Sequence, residues 1–241
     1  MTVPALQVQG LHYTYPDGTP ALRGVDLRIE PGQKVALVGA NGAGKSTLLQ
    51  HFNGLLLPAS GRVLVGDLVL APATLVQVRR RVGFVFQDAD DQLFMPTVQD
   101  DVAFGPHNLG LPLAVVQARV QAALAQVGAL HLAGRAPWRL SGGEKRAVAI
   151  AGVLAMQPDV LVLDEPSAGL DPAARRRLIG LLQACTQTVI LATHDLNLAL
   201  DCCHRVLVLH QGQVHASGTP QAVFADAALL AHCKLEPPLG Q

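Results

Sequence analysis

The sequence has few charged residues and no excess of either sign. Only 15% of its 241 residues are charged, and 18 basic side chains balance 18 acidic ones. Proteins that bind nucleic acid or anionic lipid by electrostatic attraction need a basic surplus, which this chain lacks. We therefore expect no nucleic-acid partner.

Cysteines and long apolar stretches are also scarce. The four cysteines are unevenly spaced, which is typical of a reduced cytosolic protein and not of a disulfide framework. Even the apolar segment 111–133 contains Arg119 and several glutamines, so no transmembrane helix is expected. Half of the residues are nevertheless hydrophobic, which is ample material for a core.

A glycine-rich loop lies between a predicted strand and a predicted helix. Glycines let backbone N–H groups close around phosphate oxygens, and the helix N-terminus adds partial positive charge. In this setting Lys45 would reach the β- and γ-phosphates of a nucleotide, and Ser46 would bind Mg²⁺. The candidate binding residues are Gly39, Ala40, Asn41, Gly42, Ala43, Gly44, Lys45, Ser46 and Thr47.

Two carboxylates, Asp164 and Glu165, follow the apolar run 160–163. Ligands of open α/β sheets lie beyond the carboxyl ends of the strands. A carboxylate there can hold Mg²⁺, which is the role expected of Asp164, and a second can orient and polarise an attacking water, which is the role expected of Glu165. The alternative is an acidic pair that only caps a turn.

Ser141, Gly142 and Gly143 begin a second predicted helix. Ser141 with Glu144 three residues later is an ordinary capping box. The two glycines also leave backbone N–H groups open to an anion, which predicts a second phosphate-binding helix N-terminus. A head-to-tail dimer would use both sites, with ATP between Lys45 of one copy and Ser141 of the other.

Together these motifs resemble the ATPase subunits of ATP-binding-cassette (ABC) transporters over nearly the whole chain. Gly39–Thr47 matches Walker A, Leu140–Glu144 the signature, Val160–Glu165 Walker B, Ser167–Asp171 the D-loop, Gln87 the Q-loop, His194 the switch histidine and Tyr15 the aromatic that stacks on adenine. The resemblance implies an ATPase that uses ATP and Mg²⁺. It also implies a peripheral protein on the cytoplasmic face of the cell membrane that dimerises with itself or with a sister subunit.

The resemblance assigns roles to individual residues. His194 would contact the γ-phosphate, and Gln87 would sense Mg²⁺ and the attacking water. Tyr15 would stack on adenine, with Tyr13 as its rival, and Asp171 would link the two sites across the dimer unless it is only a helix N-cap. The candidate catalytic residues are thus Glu165, His194 and Gln87, and the candidate Mg²⁺ ligands are Ser46, Gln87 and Asp164.

The order of apolar patterns predicts the fold. Strands are expected near 6–15, 25–29, 61–70, 82–86, 160–163, 189–192, 206–209 and 214–217, and helices over 114–127, 141–156 and 173–183. The expected class is α/β: a P-loop (RecA-like) parallel-sheet core with an N-terminal antiparallel β subdomain and a helical insertion. One domain would span 1–241, with the core and β subdomain in 1–87 and 158–241 and the helical subdomain in 88–157.

The stretch from Gln87 to Pro106 resembles the ATPases of energy-coupling-factor (ECF) importers. They carry Gln-Leu-Phe, Thr-Val and Asp-Val-Ala-Phe-Gly-Pro at this place. Acidic residues beside Leu93 and Phe94 suit the docking of a basic, amphipathic coupling helix, although an acidic solvated loop is the alternative. The family implies a transmembrane coupling subunit docked near 87–106 and, indirectly, a substrate-binding membrane subunit.

The cargo and the competing functions stay open at this stage. The run Thr193-His194-Asp195 and the Glu-Lys-Arg after the signature glycines look most like ATPases of cobalt or nickel importers, but importers of vitamins such as biotin share the motor. A soluble ABC ATPase acting on nucleic acid and a P-loop kinase are further alternatives, which the neutral charge and the signature respectively disfavour. The group Cys202-Cys203-His204 has no paired Cys-x-x-Cys spacing, so we do not expect it to bind metal.

Overall fold

Two β-sheets form the body of the chain in the computed structural model, which describes residues 3–238. An antiparallel sheet has the strand order β2-β1-β4-β5, and a larger sheet has the order β10-β9-β3-β8-β7-β6. The strands are β1 (Leu6–Thr14), β2 (Pro20–Ile29), β3 (Lys34–Val38), β4 (Ser60–Val65), β5 (Leu68–Val69), β6 (Val82–Val85), β7 (Val160–Asp164), β8 (Thr188–Ala192), β9 (Arg205–His210) and β10 (Gln213–Gly218).

The larger sheet is parallel except for β10, which pairs antiparallel with β9. Strands β3, β7 and β8 are buried along their whole length, as expected of parallel strands covered on both faces. In register, Leu37 lies beside Ala192, and Ala192 lies beside Asp164. The loops that follow these strands therefore meet at one edge of the sheet.

Nine α-helices accompany the sheets within residues 3–238. They are α1 (Lys45–Phe52), α2 (Leu75–Arg81), α3 (Val98–Asn108), α4 (Leu113–Gln126), α5 (Gly142–Leu154), α6 (Pro172–Ala184), α7 (Leu196–Cys202), α8 (Pro220–Phe224) and α9 (Ala227–His232). In the part of the chain described here, no helix has both the length and the apolar character needed to span a membrane.

The core consists of two hydrophobic clusters on opposite faces of the parallel sheet. Along β7, Leu161 and Leu163 belong to the cluster shared with α3, α4 and α5, whereas Val160 and Val162 belong to the cluster shared with α1 and the antiparallel sheet. This alternation follows from the two-residue period of a strand. The predicted α/β class, with its antiparallel β subdomain and its helical part, is confirmed.

The helical part contains one helix more than the sequence patterns indicated. Between β6 and β7 lie α3, α4 and α5, and the patterns had predicted only the last two. Helix α3 buries Val98, Val102 and Pro106 at a spacing of four residues, and a Cβ on Gly105 would lie only 2.7 Å from Met156 Cγ. A helix that contains Gly105 and Pro106 is weak by intrinsic propensity, so its close packing against α5 decides its structure. The subdomain bounds 88–157 stay a prediction.

Candidate functional site

The glycine-rich loop leads into the N-terminus of α1, whose first turn has no side-chain cap. The N-cap of α1 is Gly44, which has φ 102° and provides no capping side chain. A Cβ on Gly39 would lie 2.3 Å from the carbonyl oxygen of Leu209, so that position tolerates no side chain. The first-turn N–H groups of a helix lack intrahelical partners and favour an anion. This helix end is therefore shaped to receive phosphate.

A cavity of about 850 Å³ opens over this loop. Twelve of the residues predicted from the sequence line it: Tyr15, Gly39, Ala40, Asn41, Gly42, Gly44, Lys45, Ser46, Thr47, Gln87, Glu165 and His194. Its other lining residues are Thr19, Pro20, Ala21, Leu196, Lys234, Leu235 and Glu236. Ala43 does not line it and instead packs in the core between the two sheets.

Lys45 is held by the loop that it follows. Its Nζ donates to the carbonyl oxygens of Gly39 at 2.7 Å and Ala40 at 3.3 Å, and the residue is only 7% exposed. Burial lowers the pKa of the ammonium, whereas the nearby carboxylates of Glu165 and Asp164 oppose that shift. A cation held only by neutral carbonyls gains strong charge-assisted bonds when phosphate oxygens arrive.

Asp164 lies at the end of β7 and has an unsatisfied oxygen. The residue is 5% exposed, and among the described residues its Oδ1 has no hydrogen-bond partner. Burial raises the pKa of Asp164, and a hydrogen bond from the Ser46 hydroxyl only partly opposes the shift. A buried carboxylate oxygen beside a hydroxyl is a donor set that suits a hard divalent cation. Mg²⁺ therefore fits this site, where Ser46, Asp164 and Gln87 would hold it and it would neutralise phosphate charge.

Glu165 and His194 form a pair at the edge of the cavity. Glu165 Oε2 accepts a hydrogen bond from the backbone N–H of His194 at 3.2 Å and lies 2.8 Å from its Nδ1. Glu165 has φ 45°, an uncommon left-handed backbone for a residue with a side chain, and is 8% exposed. The pairing orients one carboxylate oxygen and leaves the other available to bind and polarise a water.

The two N-terminal tyrosines have different surroundings. Tyr15 lines the cavity, and its hydroxyl hydrogen-bonds with Thr47 Oγ1 at 2.8 Å. Tyr13 instead packs edge-on against His51, with ring centroids 4.8 Å apart, and contacts the core between the sheets. Of the two candidates for the adenine contact, only Tyr15 is placed to meet a ligand in this cavity.

Ser141, Gly142, Gly143 and Asp171 do not line the nucleotide cavity. The capping box predicted for α5 is present: Glu144 Oε2 accepts from Ser141 N at 2.7 Å and from Ser141 Oγ at 2.8 Å. Asp171 caps α6 by accepting from Ala173 and Ala174 N–H groups, and these bonds lower its pKa. Ser141, Gly142 and Asp171 are solvent-exposed, so in one chain these motifs face outward.

Arg146, the Arg of the Glu-Lys-Arg run after the signature glycines, is a functional candidate to which the sequence patterns assigned no role in the site. It lies on α5 and is 7% exposed, and its guanidinium donates to the carbonyls of Phe86, at 2.6 Å, and Gln87. It thereby ties the helix that begins at Ser141 to the backbone of Gln87. The signal in the sequence is a charged residue one turn before Ile150, on the buried face of a helix that is apolar from Ala147 onward.

A protein-family model described as ABC transporter matches residues 22–168 of this chain. The chain belongs to the ABC transporter ATPase family. Family members bind ATP with Mg²⁺ and hydrolyse it to drive transport, which fits the anion-ready helix end, the unsatisfied Asp164 oxygen and the Glu165–His194 pair.

Comparison with individual similar proteins shows to which type of ABC ATPase this chain belongs. It is 48% identical to the energy-coupling factor transporter ATP-binding protein EcfA of Methanothermobacter thermautotrophicus, over 97% of this chain and 76% of the relative. It superimposes on cbiO1 of Clostridium perfringens, part of the ABC transporter complex cbiONQ, with a TM-score of 0.84, 42% identity, and 95% and 94% of the two chains covered. These matches make it an ABC ATPase of ECF type.

A third similar structure is a dimeric ATP-binding cassette in a post-hydrolysis state, bound to ADP and Pi. The TM-score is 0.80 at 28% identity, with 89% of this chain and 98% of that chain covered. That protein pairs two cassettes. The outward-facing motifs of our ABC ATPase are compatible with such pairing, because a second cassette could reach them.

Proposed function

We propose that this ECF-type ATPase drives the uptake of cobalt or nickel from the cytoplasmic face of the cell membrane, as a peripheral member of a complex with membrane subunits. The similarity to cbiO1, part of the cbiONQ complex, supports the complex, and the Thr193-His194-Asp195 run favours the metal cargo. Vitamin uptake by the same motor is the second candidate, because the cargo need not touch this chain.

The observation that carries the docking part of the proposal is an exposed aromatic pair near Gln87. Phe94 is 63% exposed and Phe104 is 44% exposed, and their rings contact edge to face with centroids 4.9 Å apart. Exposed apolar side chains of this size that touch one another favour a protein partner over solvent. Asp90 and Asp91 precede Phe94 by a few residues. Asp90 is already ion-paired with Lys145 at 2.6 Å, so Asp91 is the carboxylate that would attract a basic partner helix.

The segment between β6 and α3, residues 86–97, carries Phe94 and is called the docking loop here; hydrogen bonds to α3 and α5 hold it in place. Asp101 Oδ1 accepts hydrogen bonds from the backbone N–H groups of Phe94 and Met95, both at 3.0 Å. Gln92 Nε2 donates to the carbonyl of Ala149 on α5 at 2.7 Å. Because Arg146 of α5 also holds the carbonyl of Gln87, a displacement of α5 would move the docking loop and the edge of the nucleotide cavity together.

Within the nucleotide site, Lys45 and the loop amides would hold the phosphates, Tyr15 the adenine, and Ser46, Gln87 and Asp164 the Mg²⁺. Glu165 would act as the base towards water, with His194 orienting its carboxylate. The signature residues Ser141, Gly142 and Gly143 would close the same ATP from a second ATPase, either a copy or a sister subunit, and Asp171 would lie near the junction of the two.

The test is a mild-detergent pull-down of the tagged chain from its native membranes, with mass spectrometry of the co-purifying proteins. We expect a coupling subunit and a small integral protein, and their loss in the double variant Phe94→Ser, Phe104→Ser. The matched control is Val76→Ser, because Val76 is 68% exposed but lies on α2, away from the docking loop. Recovery of soluble partners alone would refute the transport assignment.

The cargo is decided by uptake assays on cells that carry the wild type or the docking variant. We expect cobalt or nickel accumulation to fall in the docking variant and to stay normal in the Val76→Ser control. Unchanged metal accumulation together with reduced uptake of a vitamin such as biotin would replace the metal cargo with a vitamin and leave the motor intact.

A further inference from the structure

The segment after α9 forms one wall of the nucleotide cavity, although no sequence motif marks it. Lys234, Leu235 and Glu236 all line that cavity. Leu235 N donates to the carbonyl of Leu230 at 2.8 Å, and the Leu235 side chain packs against the core cluster that includes Leu230. The segment is therefore anchored by both its backbone and a side chain.

The backbone at Lys234 turns sharply to direct the segment there. Lys234 has φ 55°, in the left-handed region that side-chain-bearing residues seldom adopt. Its N–H donates to the carbonyl of Ala231 at 3.2 Å, which closes the end of α9. Such a conformation persists only when the surrounding contacts fix it, and the anchored Leu235 supplies these contacts.

Within the part of the chain described here, the ammonium group of Lys234 has no interaction partner. Lys45 and Lys234 are the two Lys or Arg residues among those that line the cavity. Lys45 Nζ already donates to two carbonyls, whereas Lys234 Nζ has neither a hydrogen bond nor an ion pair with any residue in 3–238. Among residues 3–238, the cavity thus has one lysine whose ammonium group is hydrogen-bonded to the phosphate loop and one whose ammonium group has no partner.

We infer that Lys234 is a second cationic contact for the phosphate chain of the bound nucleotide, delivered from the C-terminal wall of the cavity. ATP brings several negative charges into a cavity that already contains the Glu165 carboxylate. An ammonium group at the wall offsets part of that charge and can donate hydrogen bonds to phosphate oxygens.

Glu236 lies on the same wall and has the opposite charge. Among the described residues no ion pair of 4 Å or less joins it to Lys234, and it also lines a neighbouring cavity together with His194 and Ser167. Its carboxylate would repel the phosphates, so Lys234 and Glu236 should affect ATP affinity in opposite directions. A change at Glu236 therefore tests the inference independently, because it should raise ATP affinity where a change at Lys234 lowers it.

The experiment measures Mg-ATP affinity by calorimetry in a Glu165→Gln background, so that the nucleotide is not consumed. Lys234→Asn removes the charge with a residue that tolerates left-handed backbone. We expect it to weaken binding about three- to tenfold at low salt, and the difference to shrink as salt is added. Lys234→Arg should bind within about twofold of the parent, and Glu236→Gln should bind more tightly than the parent.

The control is Arg62→Asn, which changes the net charge equally at an exposed position on β4 in the other sheet. Its ATP affinity should equal that of the parent. The inference is overturned if Lys234→Asn binds ATP as the parent does at low salt, or if Lys234→Arg loses as much as Lys234→Asn. A lowered melting temperature without nucleotide would identify a variant whose weaker binding comes from a damaged fold. If the Glu165→Gln parent itself fails to bind ATP, the proposed nucleotide site is wrong, and the role of Lys234 is not what has failed.

Discussion

Helices α1 and α5 both begin at glycines beside a predicted phosphate site, but they differ in the space around those glycines and in their N-terminal caps. In the loop before α1, Gly39 is required by the chain itself, because a Cβ there would strike the Leu209 carbonyl at 2.3 Å. At α5, a Cβ on Gly142 would meet nothing within 4 Å. The chain's own fold thus explains the first glycine and not the second, which points to a requirement from outside the chain.

The caps of the two helices differ in the same sense. The first turn of α1 has no side-chain cap, so its amides are open to a ligand. At α5 the Glu144 carboxylate already accepts from both Ser141 N and Ser141 Oγ, and these bonds lower the pKa of Glu144. Phosphate can therefore enter the first site directly, whereas at the second it must share Ser141 with a carboxylate. We call the predicted phosphate site at α1 the first half-site and the one at α5 the second half-site. In one chain only the first has a helix end without a side-chain cap.

The largest expected effect concerns chemistry in the first half-site. Glu165→Gln keeps the shape of the side chain and its contact with His194 but removes the base. We expect ATP hydrolysis to fall by about 10²- to 10⁴-fold, the usual contribution of a general base, while ATP binding persists. Steady-state phosphate release and size-exclusion chromatography with Mg-ATP check this, and the variant should accumulate as an ATP-bound dimer. A normal hydrolysis rate would show that Glu165 is not the base.

Lys45→Ala should affect binding in the same half-site. Removing charge-assisted bonds to phosphate should weaken ATP binding by about 10- to 100-fold, as measured by calorimetry. The matched control is Lys34→Ala, because Lys34 is also a buried lysine that donates to a backbone carbonyl, that of Gln183, outside the nucleotide cavity. Lys34→Ala should lower stability and leave ATP affinity unchanged. Equal affinities of the Lys45 variant and the wild type would refute the phosphate-loop assignment.

Gly142→Ala tests the second half-site. Since the added methyl has room, folding and ATP binding by the monomer should be unchanged. In a dimer the methyl would stand between the helix amides and the partner's phosphates, so hydrolysis should fall about tenfold, the scale of one charge-assisted hydrogen bond. Gly134→Ala is the control, because its Cβ also meets nothing within 4 Å. Full activity of Gly142→Ala would mean that α5 does not close on a nucleotide.

Sequence patterns led to predictions for the parts of the site in which local chemistry and chain order agree. The loop before Lys45 and the carboxylates after β7 could be predicted because strand, loop and helix signals are adjacent there. Helix α3 was not predicted because Gly105 and Pro106 have low helix propensity, and packing against α5 stabilises the helix in spite of them. Lys234 could not be predicted either. An exposed lysine gains a role here only because the segment after α9 reaches the nucleotide cavity, and local sequence patterns do not report contacts between distant segments.

The smallest effect expected is a gain of stability in the first half-site. Asp164→Asn replaces a buried carboxylate that has an unsatisfied oxygen with a neutral amide, so the metal-free protein should be more stable by about 1 kcal/mol at neutral pH. The sign follows from the raised pKa of Asp164: the ionised form is the unfavourable one, so the advantage of Asn should shrink as the pH falls and the wild-type carboxyl gains its proton. Thermal unfolding at several pH values measures this difference. With Mg-ATP present the order should reverse, because a neutral amide binds the cation more weakly than a carboxylate does. A variant that is stabilised by Mg-ATP as strongly as the wild type would remove Asp164 from the metal site.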